Sequence, residues 1–396
     1  MTRPAQHPFG SDGSDFLVRP ATEADKGAWQ DFLVRSPAAD PLQSWAWGDA
    51  SREGGESPIR LVVEDPDGGV AGAVQVLARP SAFGRQVLYA PHGPVWDRQR
   101  DDAPRLLESL VEGLGSLARR ERAIVAKVDP RAEMGGDPPG RPDVGRQLKR
   151  VGFRRARFDL QAASTLVVAL PEDPDAIVPG LPRDTRNLVR RSEREGVSVD
   201  IDREAAPEAM VEFFDLYRLT AERAGFRARP REFLDALGRG LAETGSWYLL
   251  LARREGRPIA GMVVARSGDR AFYLYGGSRR EPAFKHAYAP YAAMASAMQT
   301  LTADGVRVLD LWGASEPGTS APPDWRGFSA FKEKFGGVRL RHPGTFDLVA
   351  DPVLFALRDI RETLLAAVSH GRSRGPTAIP RRKAGPSRPG PAVDES

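Results

Sequence analysis

One order of elements occurs twice along this chain, and that repetition limits the fold more than any other feature. A helical stretch, ATEADKGAWQDFLVRS, leads to LQSWAWGDA and then to the alternating strands PIRLVVE and GVAGAVQVLA, joined by the turn DPDGG. QVLYAPHGPVWD follows, then a helix APRLLESLVEGLGSLARRE and a buried strand AIVAKVDP. Further on come the helices APEAMVEFFDLYRLTAERAG and REFLDALGRGLAE, and the strands SWYLLLARREG and RPIAGMVVARSG around EGR. RAFYLYGGS, a helix PYAAMASAMQTLTADG and a strand VRVLDLWGAS complete the second passage. Helix, strand, strand, strand, helix, strand is the order in both. The strand–helix–strand crossover near each end implies a parallel pair there. The sequence therefore predicts two copies of one mixed α/β module.

A length of 396 residues accommodates two such modules, and a hydrophobic fraction of 41% is ordinary for a soluble fold. The net charge is only +4, although the pI is about 9.4, so an anionic partner has to be met by local clusters of cations. With no cysteine there is no disulfide, thiolate zinc site or cysteine nucleophile. His7, His92, His286, His342 and His370 show no metal-ligand spacing, and no G-x-S-x-G elbow occurs. We expect no metal and no cofactor.

MTRPAQHPFGSDGSDF lacks the apolar core of a signal peptide, and no apolar run is long enough to cross a bilayer. The uncharged stretch from Ala287 to Ala303 reads as a buried helix. A cytoplasmic protein is expected. Residues 1–15 and the Pro-, Gly- and Arg-rich residues 371–396 are predicted to be disordered. The latter serves as a solubilising end or as a basic strand for anionic lipid or RNA.

Superposing the two passages sets Asp129 of AKVDP opposite Asp310 of VLDLWG. Each stands at the C-terminal end of a strand, outside which α/β sheets tend to bind ligands. An acid there orients an amine or accepts a proton; as a turn former it needs no ligand. In GFSAFKEKFGG, helical spacing puts Phe328, Phe331 and Phe335 on one face. Lys332 flanks that face, carried to the rim of whatever the rings dock against, or it simply snorkels. Lys334 lies on the other shoulder, and Gly336-Gly337 ends the helix.

LQSWAWGDA, YAPHGPVWD, PRDTRNLVRRSEREGV, VLDLWGAS and GFSAFKEKFGG occur in this order. Together, from about Phe16 to His370, they resemble the Fem-type aminoacyltransferases of peptidoglycan bridges. Those are tRNA-dependent enzymes built from two acetyltransferase-like modules. The resemblance implies a mixed α/β fold of two tandem GNAT-type modules, residues 16–165 and 166–345. It also implies a C-terminal helix over 346–370 that packs on the first module. The long helical arm of some Fem-type enzymes has no counterpart here.

The implied reaction moves an aminoacyl group from aminoacyl-tRNA to an amine of a muramyl pentapeptide, UDP-linked or lipid-linked. Such ester aminolysis needs a neutral amine, a place for an oxyanion, and a tRNA hydroxyl that can leave. The motif F-K-x-x-F-G maps its lysine onto Lys332, which stabilises the tetrahedral intermediate or holds the tRNA end. With Lys332, Asp129 and Asp310 are the candidate catalytic residues. Arg52, Tyr275, Trp312, Arg279, Lys285 and Lys334 are candidate substrate contacts, with Arg280, His286 and Tyr288 beside them. Each also has a plain role as a solvated charge or a packed ring. On one helix Arg186, Arg190 and Arg194 align, with Arg183 close by. They form a salt-bridged surface or a phosphate track for tRNA or an anionic lipid head, so peripheral contact with an anionic membrane is also considered. The rivals are a tandem acetyl-CoA-dependent N-acetyltransferase and a non-catalytic RNA- or envelope-binding protein. Acetyl-CoA needs a glycine-rich turn before a helix, and neither VWDRQRDDAP nor SRREPAFKHAYAP supplies one.

Overall fold

The computed structural model describes residues 16–131, 143–315 and 323–369. The strands are β1 (Leu17–Pro20), β2 (Ser57–Glu64), β3 (Val70–Pro80), β4 (Gln86–Ala90), β5 (Val95–Trp96), β6 (Ala123–Val128), β7 (Arg154–Arg155), β8 (Ser164–Ala169), β9 (Val197–Asp202), β10 (Trp247–Arg254), β11 (Arg257–Ser267), β12 (Arg270–Ser278), β13 (Val308–Gly313), β14 (Val338–Arg341) and β15 (Phe346–Val349). The helices are α1 (Lys26–Arg35), α2 (Trp45–Glu53), α3 (Ala103–Arg120), α4 (Val144–Arg150), α5 (Ile177–Gly180), α6 (Arg183–Arg194), α7 (Pro207–Ala224), α8 (Arg231–Ala242), α9 (Ala289–Ala303), α10 (Pro323–Glu333) and α11 (Pro352–Ser369).

Two mixed sheets carry the repeat. The first runs β1-β2-β3-β4-β6-β15-β7, with β5 on β3, and the second runs β9-β10-β11-β12-β13-β8-β14. Position by position the two correspond. β4 is parallel to β6, with Tyr89 opposite Lys127, and β12 is parallel to β13, with Phe272 opposite Asp310. Central strands such as β11 are nearly continuously apolar because both of their faces are covered. Edge strand β9 instead alternates Val197, Val199 and Ile201 with polar residues.

The crossover helices dictate what each sheet buries. Leu106, Leu110, Leu114 and Leu117 make one fully buried stripe of α3 against the first sheet. On the second sheet α9 presents Ala293, Met294, Ala297, Met298 and Leu301, small and flexible side chains that let helix and strands approach closely. A third core joins the halves. In it Trp47 of α2 meets Phe233 of α8 edge-on at 5.3 Å, and Ala46 lies so near Gly240 that a Cβ there would approach within 2.8 Å.

The chain also crosses twice between the sheets. The chain leaves the first sheet after β7 to insert β8 between β13 and β14, then returns after β14 to insert β15 between β6 and β7. The two crossings lie side by side. His342 N–H donates to Ala163 at 2.9 Å and Ala156 N–H donates to Thr345 at 2.8 Å. Residues 346–349, expected to open the C-terminal helix, are thus a strand of the first sheet. A four-residue strand is too short to show a periodicity, and its partners β6 and β7 lie far away in sequence. α11 follows and lies against β6, with Phe355 under the Arg154 guanidinium at 3.8 Å. Residues 1–15 and 371–396, expected to be disordered, lie outside the described residues. Among the described residues no helix is long and apolar enough to cross a membrane.

Candidate active site

A small, partly open cleft lies where the two sheets and the paired crossing meet. His92 and Arg131 of the first half line it, with Asp310 and Trp312 of the second and Gln161 and His342 of the crossing segments. His92 and Trp312 have left-handed backbones, at φ 53° and 66°. For residues with a bulky side chain this costs about 1–3 kcal/mol each and needs support from the surroundings. The repeated aspartates give that support. Asp129 accepts the His92 N–H at 2.6 Å, and Asp310 accepts the Trp312 N–H at 2.7 Å.

Both carboxylates are otherwise engaged by protein groups. Asp129 also accepts from Tyr89 Oη at 2.7 Å, and Gln161 donates to that same Oη at 2.9 Å. Burial raises the Asp129 pKa to about 7, against the opposing pull of His92 and the Tyr89 hydrogen bond. Asp310 accepts from Thr165 Oγ1 and from Arg131. Arg131, itself buried, reaches Asp40 as well at 3.1 Å, under the rings of Phe272 and Trp312. Asp40 holds His92 Nδ1 with the oxygen that meets Arg131, while its other oxygen takes the Leu42 N–H at 2.8 Å. Burial pushes the Asp40 pKa up, yet His92 and Arg131 outweigh it and keep the carboxyl below its ordinary value. His342, 5.8 Å from the His92 ring, is held down to about 3 by burial and by the Arg131 and His92 charges, and is therefore neutral.

Lys332 stands at the end of α10. Its Nζ donates to the carbonyl of Gly313, a cleft residue, at 2.7 Å and lies 5.8 Å from the Tyr273 ring centre. Only 8% of the residue is exposed, so it does not sit at a solvated rim as the helical wheel suggested. Burial lowers its pKa to about 8, and Asp310 pulls the other way. The aromatic anchor is narrower than expected. Phe331 and Phe335 pack on Tyr291 at 5.3 and 5.7 Å, but Phe328 is 37% exposed. Phe335 lies beyond the helix end, where Gly336 and Gly337 turn the chain with φ of 79° and 103°.

The remaining sequence candidates do not line the cleft. Arg52 is exposed at the end of α2 beside Asp49, at 3.9 Å. Tyr275 packs edge-on to Tyr217 at 5.6 Å, in the core under α7. Lys334 is exposed, and its carbonyl takes the Thr185 hydroxyl at 2.5 Å, which seats the first turn of α6 beside Lys332. Arg183, Arg190 and Arg194 are exposed on α6, and Arg186 donates to Pro179 at 2.6 Å. Arg191 lies over Tyr288 at 5.1 Å, which joins α6 to the loop of Arg280, Lys285 and His286. Arg279 pairs with Glu281 at 3.5 Å. Sequence reasoning missed Asp40, Tyr89, Arg131 and Thr165, and weighed His92 only as a metal ligand. One signal was available: His92 follows a strand end in a Pro- and Gly-flanked loop, where function concentrates.

Comparison with known proteins agrees with this architecture. The FemAB family model matches residues 25–239, and a GNAT acetyltransferase-domain model matches residues 183–322. The UDP-N-acetylmuramoylpentapeptide-lysine N(6)-alanyltransferase of Weissella viridescens is 25% identical over 338 residues, or 83% of this chain and 94% of that protein. The lipid II:glycine glycyltransferase of Staphylococcus haemolyticus (strain JCSC1435) is 26% identical over 236 residues. That match covers 58% of this chain and 54% of the relative, so the chain spans about half of its length. The crystal structure of FemX superposes with a TM-score of 0.74 at 20% identity, covering 86% of this chain and 99% of the other. A doubled acetyltransferase-like fold and a family model spanning more than half of the residues lead to one assignment: the chain belongs to the FemAB family.

Proposed function

We propose that this protein transfers an aminoacyl group from aminoacyl-tRNA to an amine of a peptidoglycan precursor peptide, UDP-linked or lipid-linked. The observation that carries the reading is the Lys332 ammonium, buried behind the cleft wall at Gly313. As the amine attacks the ester carbonyl, negative charge grows on oxygen. A cation already held in a water-poor site stabilises that charge without reorganisation, by a few kcal/mol. Lys332 supplies it. Asp129 and Asp310 act as positioning residues for His92 and Trp312, and Arg131 ties the second half to the first.

The tRNA reaches the site along α6. Thr185 fixes the start of that helix to Lys334, so Arg183, Arg190 and Arg194 lead away from Lys332 over a solvated surface. Lys285, His286 and Tyr288 continue it, and backbone phosphates match such a track. Arg52 of α2 and Arg279 serve the acceptor's phosphates from outside the cleft, and Tyr275 supports the wall from below. The protein works in the cytoplasm, at the inner membrane face when its acceptor is lipid-linked, without metal or cofactor.

The direct test incubates the purified protein with a panel of charged tRNAs and either muramyl pentapeptide acceptor, and in parallel with acetyl-CoA. The expected product is heavier by one aminoacyl residue and forms only with a charged tRNA. Acetylated acceptor, or tRNA binding with no product, would overturn the proposal.

A further inference from the structure

We propose that His92 is the catalytic base of the transfer, with Asp40 as its positioning residue. This rests on the aminoacyl-transfer reading above. His92 lines the cleft, and its Nδ1 is fixed by Asp40. Its Nε2 has no hydrogen-bond partner among the described residues, so the free edge of the ring is left to the cleft. An ionised Asp40 accepts the Nδ1 proton, so that whenever the ring is neutral its lone pair lies on Nε2.

The ring is held on several sides. Asp129, at the end of β6, takes its backbone N–H at 2.6 Å. Arg131 shares the Asp40 oxygen that binds the ring. Trp312, which follows Asp310 on β13, packs at 5.3 Å, and His342, just beyond β14, packs at 5.8 Å. His342 is not a second base, since burial, first of all, and the nearby Arg131 keep its proton affinity far too low. Asp310 and Asp129 are occupied by protein donors. Among the titratable groups lining the cleft, His92 therefore has the free acceptor atom that the reaction needs.

The step balances without any further reagent. The neutral acceptor amine adds to the ester carbon, forming the C–N bond while the carbonyl π pair moves to oxygen beside Lys332. His92 Nε2 takes a proton from the now cationic nitrogen. The oxyanion pair then re-forms the carbonyl as the C–O bond to the tRNA ribose breaks, the electron pair of that bond stays on the ribose oxygen, and His92 returns the proton to it. Ester and amine have become amide and alcohol, and His92 is neutral again.

The test uses His92→Gly, because glycine adopts the left-handed backbone at no cost, with His92→Asn as a second variant that tolerates it. Near-ultraviolet circular dichroism and the thermal midpoint confirm folding. With charged tRNA and acceptor, kcat is expected to fall about 10²–10⁴-fold with little change in KM. Added imidazole restores part of the rate of His92→Gly but none of that of Lys332→Ala. Asp40→Asn, which disturbs the tautomer, lowers kcat as well. A His92→Gly protein within about threefold of wild type overturns the proposal, as does a folded, inactive one that imidazole does not rescue. If the wild type itself transfers nothing from any charged tRNA, the transfer reading fails and this inference falls with it, an outcome distinguishable from the other two.

Discussion

Asp129, just beyond β6, and Asp310, within β13, belong to corresponding strands of the two halves and do the same work: each accepts the backbone N–H of a left-handed residue that faces the cleft. Their environments differ. Asp310 has Arg131 beside it, whereas the donors to Asp129 are a phenol and a backbone amide.

That difference predicts a pH signature for Asp129. Its pKa is about 7 in the folded protein, against an ordinary value of 3.8. Between these values the folded state binds more protons than the unfolded chain, so this group's contribution to stability falls as pH rises through the window. Asp129→Asn removes the slope. Its urea midpoints at about pH 5 and about pH 7 are expected to lie closer together than those of the wild type. An unchanged separation would refute this assignment.

Arg131 offers a test of how the halves are joined. It is buried between Asp40 and Asp310, so Arg131→Met leaves two carboxylates without their cation. The expected loss is about 3–5 kcal/mol in urea unfolding. Adding Asp310→Asn to that variant is expected to recover part of it. A loss below about 1 kcal/mol would mean that water replaces the guanidinium.

On the proposed role, the Lys332 ammonium sets an alkaline limit on turnover. Its pKa is lowered to about 8 from 10.5, so its charge, at the proposed oxyanion site, is lost as pH rises through about 8. In the wild type kcat should therefore decline above that point. Lys332→Ala is expected to cut kcat about 10²–10³-fold and to abolish the decline. A pH-independent wild type, or turnover unaffected by the substitution, would remove Lys332 from the chemistry.

The α6 track is tested by salt. Replacing Arg190 and Arg194 with alanine is expected to weaken tRNA binding and to flatten the plot of log K against log salt by about 0.7–0.9 for each phosphate that is no longer neutralised. The thermal midpoint should not move, because both side chains are exposed. Equal slopes would place the nucleic acid elsewhere.

Much of this molecule is legible in its sequence, for identifiable reasons. Strands β2, β3, β10 and β11 and helices α3 and α9 announce themselves because each is long enough to repeat its burial period several times. Gly336-Gly337 marks a real helix end because only a residue without a Cβ adopts those angles easily. Lys332 and Trp312 stand out because they lie in recognisable motifs, and Asp310 because motif and repeat both point at it. Arg131 does not, because in DPRAEM it resembles any solvated turn arginine. Its meaning depends on Asp40 and Asp310, which lie 91 and 179 positions away. The double crossing is hidden for the same reason, since pairing of short segments is decided by the neighbours they meet in space.

That double crossing constrains motion. Because β15 returns from the far end of the chain into the first sheet, the cleft is floored by two covalent crossings bonded to one another. Swinging the halves apart would strain both crossings and the hydrogen bonds between them. Whatever the cleft admits must therefore pass through a doorway of nearly fixed width, and the freedom to let it in and out falls to surface loops and side chains rather than to a hinge.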